Sequence, residues 1–471
     1  MRARRGKNLL IAGGVVALIV IAAIAALVLY YNNTLRPNIE SALFDATGLG
    51  VRINGKMELS FFPFGVSARD IHVAGKGGDI ISIDNLKLGA ELMPLLRKRL
   101  KVTSCELVKP VFTIVRDVDG KYNFEKKSTK GAPGAAFRLN DLKLSQGALV
   151  YLDRKTGEKT EFKEFNLAVT DISIAGNVIR NASFTGNFDC KEVRKRNLKI
   201  YNVKSPLKVE RGVVRLSPLT MDIFGAKGEG DATADMSGVD SLYKFNVRVS
   251  KLDFSKFEEF LGTRKVISGK GDLYASLTMK EKGDRHPMSG LDGTLSLRGD
   301  NLVIYMMDLD KVLSSYETSQ KFNLVDLVAY LAAGPLSTVA LKGYRYGDLY
   351  NQTREGQGTI TQFISRWKIR DGLADAADCA LATRHNRVAL KGRLDLVDKR
   401  FENVVVALLD DKGCVKFKQS LNGPFGRPHV GATSRVESFA GPIVKLYRKA
   451  KHLVQSGRCE VFYNGSVQHP R

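Results

Sequence analysis

Residues that usually carry chemistry are scarce in this chain. Among 471 residues there are five cysteines, six histidines and one tryptophan, Trp367. The cysteines (Cys105, Cys190, Cys379, Cys414, Cys459) are too few and too scattered for a disulfide framework, and no two have the close spacing of a metal knuckle. One pair could be bridged in an oxidising compartment, and the spacing selects none. The histidines (His72, His286, His385, His429, His452, His469) lie far apart without ligand spacing. HExxH, GxSxG and a P-loop lysine followed by Ser or Thr are all missing. Gly228-x-Gly230 and Gly269-x-Gly271 lead into strand patterns rather than helices, which argues against a phosphate cradle. Glu258-Glu259 and Asp410-Asp411 are neighbours in sequence, so on a strand or a helix they diverge instead of forming a shared acid–base pair. The expectation is a chain that is not an enzyme, with no catalytic residue, no cofactor and no metal.

What is present begins with a long apolar run. From Leu9 to Leu29 there is no charge, and Gly13 and Gly14 are the only interruptions. At about 1.5 Å per helical residue the run is long enough to cross a hydrocarbon core of roughly 30 Å. Arg2, Arg4, Arg5 and Lys7 precede it, and Asn32, Asn33 and Thr34 follow. That asymmetry predicts a single-pass anchor over residues 1–31, with a cytoplasmic N-terminus and the bulk of the chain across the membrane. A cleaved signal peptide is the competing reading, since Ala23-Ile24-Ala25 offers a small-x-small site. The apolar run continues past that site to spanning length, which favours the uncleaved anchor.

The formal net charge is +24. In a soluble protein this would suggest nucleic acid. Behind an anchor the polyanions at hand are lipid headgroups, so no nucleic acid is expected. Residues 2–7 and 194–199 are dense basic blocks, and simple solubility is an equally good account of the rest.

Beyond the anchor, Leu35 to Leu43 predicts a short helix with Pro37 in its first turn. From Val51 to Phe61 apolar and polar residues alternate, the two-residue period of a half-buried strand. Phe62-Pro63 breaks that strand. Val66 to Val73, Ile80 to Leu92, Val102 to Val108 and Val111 to Val115 read likewise, with Pro94-Leu95-Leu96 as a helical turn and Asp119-Gly120 as a tight turn. A β module is therefore expected over 32–125 and a linker over 126–136. A repetitive β region follows over 137–300, in which glycine turns lead into strands at Gly228, Gly269, Gly293 and, later, Gly392. Over 301–430 two helices, Leu309 to Tyr316 and Leu324 to Ala333, interrupt the β pattern. In 431–471, Val436, Phe439, Ile443, Leu446, Ala450 and Val454 recur at helical steps, with Lys445, Arg448, Lys449 and Lys451 on the opposite face. This basic helix could lie on an anionic membrane surface or cap the end of the sheet. A last strand is expected from Cys459 to Val467.

The run TGLGVRINGKMELSFFPFGVSARDIHVAG resembles the opening of the AsmA family: a threonine-glycine pair, a strand, a proline, and a second strand ending at an aspartate position, here Asp70. PLLRKRLKVTSCELVKPVFTIVRDVDGKYNFE is similar to the close of the same module. FNLVDLVAYLAAGPL and the later KGRLDL resemble the family's C-terminal part. The resemblance implies a bacterial inner-membrane protein with a large periplasmic β-rich body. Relatives are similar to bridge-like lipid-transfer proteins, whose long bent sheets expose an apolar groove and which are linked to phospholipid movement and outer-membrane homeostasis. This chain is shorter than the longest relatives.

The fold expected is mainly β: a transmembrane helix, then an elongated, curved antiparallel sheet with an open groove, a few short helices and a C-terminal amphipathic helix. An apolar sheet face must be covered. If the sheet curves without closing, that face becomes a trough for acyl chains. The competing arrangement is a sandwich with no cavity. Val51, Ile53, Met57, Leu59 and Phe61 are the candidate groove residues, each equally readable as ordinary core. The function expected is binding or conducting phospholipid or another lipid from the inner membrane. Two alternatives stay open: a scaffold for outer-membrane or other envelope proteins acting by strand addition, and an envelope hydrolase.

Overall fold

A computed structural model describes residues 50–61, 64–75, 77–91, 102–124, 137–174, 181–261, 267–281, 286–305, 308–319, 356–431, 434–435 and 461–470. The anchor, the 35–43 and 324–333 helices, the 94–96 turn, the 126–136 linker and the basic helix with Lys445, Arg448, Lys449 and Lys451 all lie outside them. Among the described residues no helix is long and apolar enough to cross a membrane. The chain is mainly β with few helices, and it divides into two compact units. The first comprises Met1–Ile223, Lys227–Phe245 and Lys280–Arg285; the second comprises Phe224–Ala226, Asn246–Met279 and His286–Arg471.

In the first unit, β1 (Gly50–Ile53) and β2 (Met57–Phe61) both pair with β3 (Phe64–Gly75), which pairs in turn with β4 (Gly78–Ala90). β5 (Val102–Val108) and β6 (Val111–Arg116) pair successive stretches of β4. Both then run parallel to β7 (Phe137–Asp153), so the sheet is mixed, not uniformly antiparallel as expected. β6 ends at Arg116 and β7 begins at Phe137, a connection long enough for the parallel pairing that a tight hairpin could not give. From β7 the ladder is a meander through β8 (Glu158–Ile174), β9 (Ala182–Lys195), β10 (Leu198–Glu210) and β11 (Val213–Ile223).

Register in this unit is set by apolar matching. One line of facing residues crosses the strands as Val51, Val73, Ile81, Phe112, Leu149, Phe162, Val193, Ile200 and Ile223. A second runs Met57, Ala68, Leu86, Leu107, Leu144, Leu167, Phe188 and Ser205. Between the two lines the inward step changes from two residues to three. The change falls at residues with left-handed backbone: Asp70 (φ 53°), Gln146 (φ 55°), Glu164 (φ 49°) and Asn202 (φ 50°). Bulges of this kind rotate the strand by one residue and so keep apolar side chains on one face on both sides of the break. Ring centroids of Phe112 and Phe165, 6.2 Å apart, and of Phe165 and Phe188, 6.4 Å apart, bridge it. Neighbouring side chains hold the break open: Asn166 accepts from the Gln146 backbone N–H (2.8 Å) and donates to Asp189 (2.7 Å).

Beyond β12 (Ala226–Asp235) and β13 (Ser241–Asp253), the second unit opens with a helix that periodicity alone had not suggested, α1 (Phe254–Leu261). Asp253 caps it, accepting from the Ser255 N–H at 2.9 Å. Phe254 and Phe257 are buried, and Phe257 meets Phe224 edge-on at 5.2 Å. The sheet here runs β15 (Lys270–Glu281), β16 (Leu291–Tyr305), β17 (Gln357–Arg370), β18 (Leu373–Ala382), β19 (Arg387–Asp395), β20 (Arg400–Leu409) and β21 (Val415–Pro424), with β14 (Ile267–Ser268) against β16. The expected helix at Leu309 is present and longer, α2 (Leu309–Ser319). Its Asp310 carboxylate takes hydrogen bonds from Thr383, Asn386 (3.0 Å) and the His385 N–H (3.2 Å), which hold it below the usual carboxylate range although burial alone would raise it.

Two expectations are corrected. Gly228, Gly293 and Gly392 do not form turns but lie inside β12, β16 and β19. A Cβ at Gly293 would stand 2.0 Å from the Ser276 carbonyl oxygen, and one at Gly392 would stand 2.5 Å from Val404 Cα, so these are places of close backbone approach. Over its described residues, the expected last strand reduces to an isolated bridge between Cys414 and Val461, followed by irregular chain to 470. Tyr463 and Val467 there are buried against the sheet.

Candidate functional site

The two faces of β7–β11 differ sharply in chemistry. Side chains on one face are Phe162, Phe165, Leu167 and Val169 from β8, and Phe184, Gly186, Phe188, Cys190 and Val193 from β9. β10 adds Ile200, Val203, Ser205, Leu207 and Val209. None of these is charged. The opposite face is laced with ion pairs: Lys163–Glu192 (3.6 Å), Arg194–Glu192 (2.6 Å), Lys191–Glu164 (2.7 Å) and Lys208–Glu210 (2.8 Å). Such exposed pairs stabilise little, so their main effect is to keep that face in water.

Burial along the apolar face is graded. At the β1–β5 end it is sealed: Val51, Ile53, Ile71, Val73, Leu86 and Leu107 are each no more than 3 % exposed. From β6 onward the face is mixed: Phe112, Leu149, Phe162, Leu167, Phe184, Phe188, Val193, Ile200 and Leu207 are half-buried, while Leu144, Phe165, Val169, Cys190, Val203 and Val209 are buried. The face meets its first charges at the strand ends, where Lys195 follows Val193 and pairs with Glu158 (3.4 Å), and Arg116 pairs with Asp153 (3.4 Å). Burial would raise the Asp153 carboxyl, but the Thr156 and Lys155 backbone N–H groups and Arg116 hold it below its ordinary range, so this rim stays ionised.

Of the five groove residues expected from periodicity, Val51 and Ile53 are core, 2 % and 1 % exposed, and Met57 is half-buried. Leu59 and Phe61 pair with Val66 and Phe64, and their side chains lie outside the described residues. Further half-buried apolar residues lie at Phe112 and over 137–223. The signal for them was present as alternation, but the bulges at Gln146, Glu164 and Asn202 break it every few residues.

The second unit has no comparable surface among the described residues. Its apolar line Leu273, Leu297, Ser365, Cys379, Leu390, Val406 and Gln419 is buried at every position. A cavity of about 30 Å³ beside Phe254, Phe257 and Leu302 has room for a water or two and not for an acyl chain.

Titratable groups supply no reactive centre on the apolar face. Burial pushes the Cys105 and Cys379 thiols up to about 12, and Cys190 is raised for the same reason. Cys414 is disulfide-bonded. Among the described residues no group of three His, Cys, Asp or Glu could hold a metal ion. On the polar side of β3, His72 lies between Asp70 (Nε2, 2.8 Å) and Asp79 (Nδ1, 2.7 Å), and Arg52 donates to Asp79 (3.3 Å). Both ring nitrogens face carboxylates, an arrangement that the protonated ring satisfies with two donors, and the hydrogen bond to Asp70 leads the causes that raise the His72 pKa. The stability from this raised pKa is fully present below the unfolded value, about 6.5, and is lost as pH rises through the folded value. Thermal melts of the wild type and His72→Gln should therefore differ most near pH 6 and converge as pH rises. A gap that widens with pH would contradict this.

Comparison with curated proteins and with solved structures gives no match. A match exists at the level of families, over a stretch that runs from the first residue through β9. It takes in the sealed end of the apolar face and part of the half-buried end, and stops before 300–430, whose likeness to the family therefore rests on its own residues. Residues 1–196 match the model of the AsmA family.

Proposed function

We propose that this protein binds lipid acyl chains on the half-buried apolar face of β6–β11, as a non-enzymic carrier or conduit anchored in the inner membrane with its body in the periplasm. The observation that carries the reading is the uncharged face of β8–β10, on which Phe162, Leu167, Phe184, Phe188, Val193, Ile200 and Leu207 stay half-buried beside the buried Phe165, Val169, Cys190, Val203 and Val209. Each methylene laid on it gains about 0.8 kcal/mol. The charges at Lys195, Glu158, Arg116 and Asp153 stand where a headgroup would leave the face for water. The match of residues 1–196 to the AsmA family model agrees with an envelope setting.

In this reading the groove is a property of the first unit, and the filled second unit is a structural end. Phospholipid transfer toward the outer membrane is the finer form of the proposal. The test is photocrosslinking from a benzophenone side chain placed at Phe188 or Val193, with Lys204 on the other face as control, followed by mass spectrometry of the adduct. Phospholipid adducts from the first two positions and none from Lys204 are expected. Equal labelling from all three, or no lipid at all, would overturn the reading. An envelope scaffold that acts by strand addition is the second reading. A stoichiometric protein partner in place of lipid would select it.

A further inference from the structure

The second unit holds a feature that the lipid reading does not use. On the face of β18–β20 away from the main core, Ala380, Ala389 and Ala407 stand side by side and form a shallow floor. Residues 461–468 lie across it. They belong to no strand, and their side chains Tyr463 and Val467 fill the space that the alanines leave. Their polar anchors are groups already buried on the sheet. Asp378 accepts from the Tyr463 hydroxyl (2.5 Å), the Ser466 hydroxyl (2.6 Å) and the Ser466 N–H (3.3 Å). Arg387 donates to the Val467 carbonyl (3.3 Å), and the Gly413 carbonyl accepts from the Phe462 N–H (2.9 Å). A Cβ at Gly465 would stand 2.4 Å from Asp378, so the fit requires glycine there.

An aromatic anchor set on a small-residue floor, with backbone and side-chain hydrogen bonds to the sheet, resembles a seated peptide, here an irregular one. The fit is also incomplete. Arg387 is 7 % exposed, and its Nε is buried without a hydrogen-bond partner, a donor that this tail leaves unanswered. A segment that supplied an acceptor there would bind better than the tail does.

We propose that this face of β18–β20 is a peptide-recognition groove occupied in cis by residues 461–468, and that it accepts in trans a segment with the pattern Tyr-x-Gly-Ser in the same irregular conformation. The proposal stands apart from the lipid reading, since it concerns other residues in the other unit.

The test uses the full chain carrying Tyr463→Ala, which weakens the cis tail, and a fluorescent synthetic peptide of residues 461–470, measured by anisotropy with and without reductant because Cys414 is disulfide-bonded. Saturable binding at least about tenfold tighter than to the wild-type chain is expected, with a similar loss on adding Asp378→Asn. A peptide with alanine in place of its tyrosine should not bind. A folded variant that shows no saturable binding up to about 1 mM overturns the proposal. If Tyr463→Ala loses its cooperative melt, Ser466→Ala is measured in its place. Loss of folding in both would make the tail a structural element and overturn the proposal equally.

Discussion

Full-length protein with Phe162→Asp and Ile200→Asp together should lose roughly a hundredfold in affinity for an acyl-chain probe. The two residues flank Val193 on one line across β8, β9 and β10. Carboxylates there would keep their water and hold an acyl chain off the sheet. If about four methylenes lose contact, at about 0.8 kcal/mol each, the cost is about 3 kcal/mol, which is roughly two powers of ten. The fold should tolerate the change better than a core charge would be tolerated, because both side chains are only half-buried and a carboxylate can reach solvent. Lys163→Asp and Lys204→Asp, on the opposite face, change the charge more and should leave affinity within about twofold. Retention of probe binding by the doubly substituted, folded protein would sink the assignment of this face. Titration of a fluorescent fatty acid against the three proteins, with a thermal melt of each, is sufficient.

Trp367→Ala is expected to destabilise the second unit by about 3–5 kcal/mol. The indole is 0 % exposed, stands beside Leu295 in the register of β16 and β17, and donates from Nε1 to Ser365 Oγ at 2.9 Å. Its removal leaves a cavity and frees a buried hydroxyl at once. Trp367→Phe keeps most of the volume and should cost less than half as much. Chemical denaturation of the full chain should show a transition moved to lower denaturant for Trp367→Ala, with acyl-probe binding unchanged where the first unit is still folded. A shift below about 1 kcal/mol would mean that this core relaxes around the gap far more freely than filled cores do.

The alternation Val51 to Phe61 announced a strand, and the structure gives two, interrupted where Asn54 and Gly55 bond back to Asp70 and Arg69. Leu309 announced a helix through its three- and four-residue spacing, and that helix is present. The same spacing is there at Phe254, Phe257 and Phe260, behind an aspartate cap, but the strand of β13 runs directly into it and obscures the change of period. Left-handed residues defeated the period-two reading in the middle region. At Gln146 and Asn202 the inward step is three, so a correct strand looks like two wrong ones. The parallel pairing of β5 and β6 with β7 depends on where a long connection returns, which no local pattern encodes. The difference between a sealed and a half-open stretch of one apolar face is equally non-local. Val51 and Ile200 are similar residues in similar patterns, and what lies over them decides their exposure.

The matched lines that cross the first unit bear on movement as well as on binding. A hydrocarbon tail displaced sideways by one strand, about 4.8 Å, would leave Phe162 for Val193, or Leu167 for Phe188, and meet much the same grease again. Successive resting places differ little in depth, so no single one becomes a trap. A surface with that kind of translational sameness favours sliding over capture, and the rate along it would be set by the friction of small bumps rather than by escape from a well.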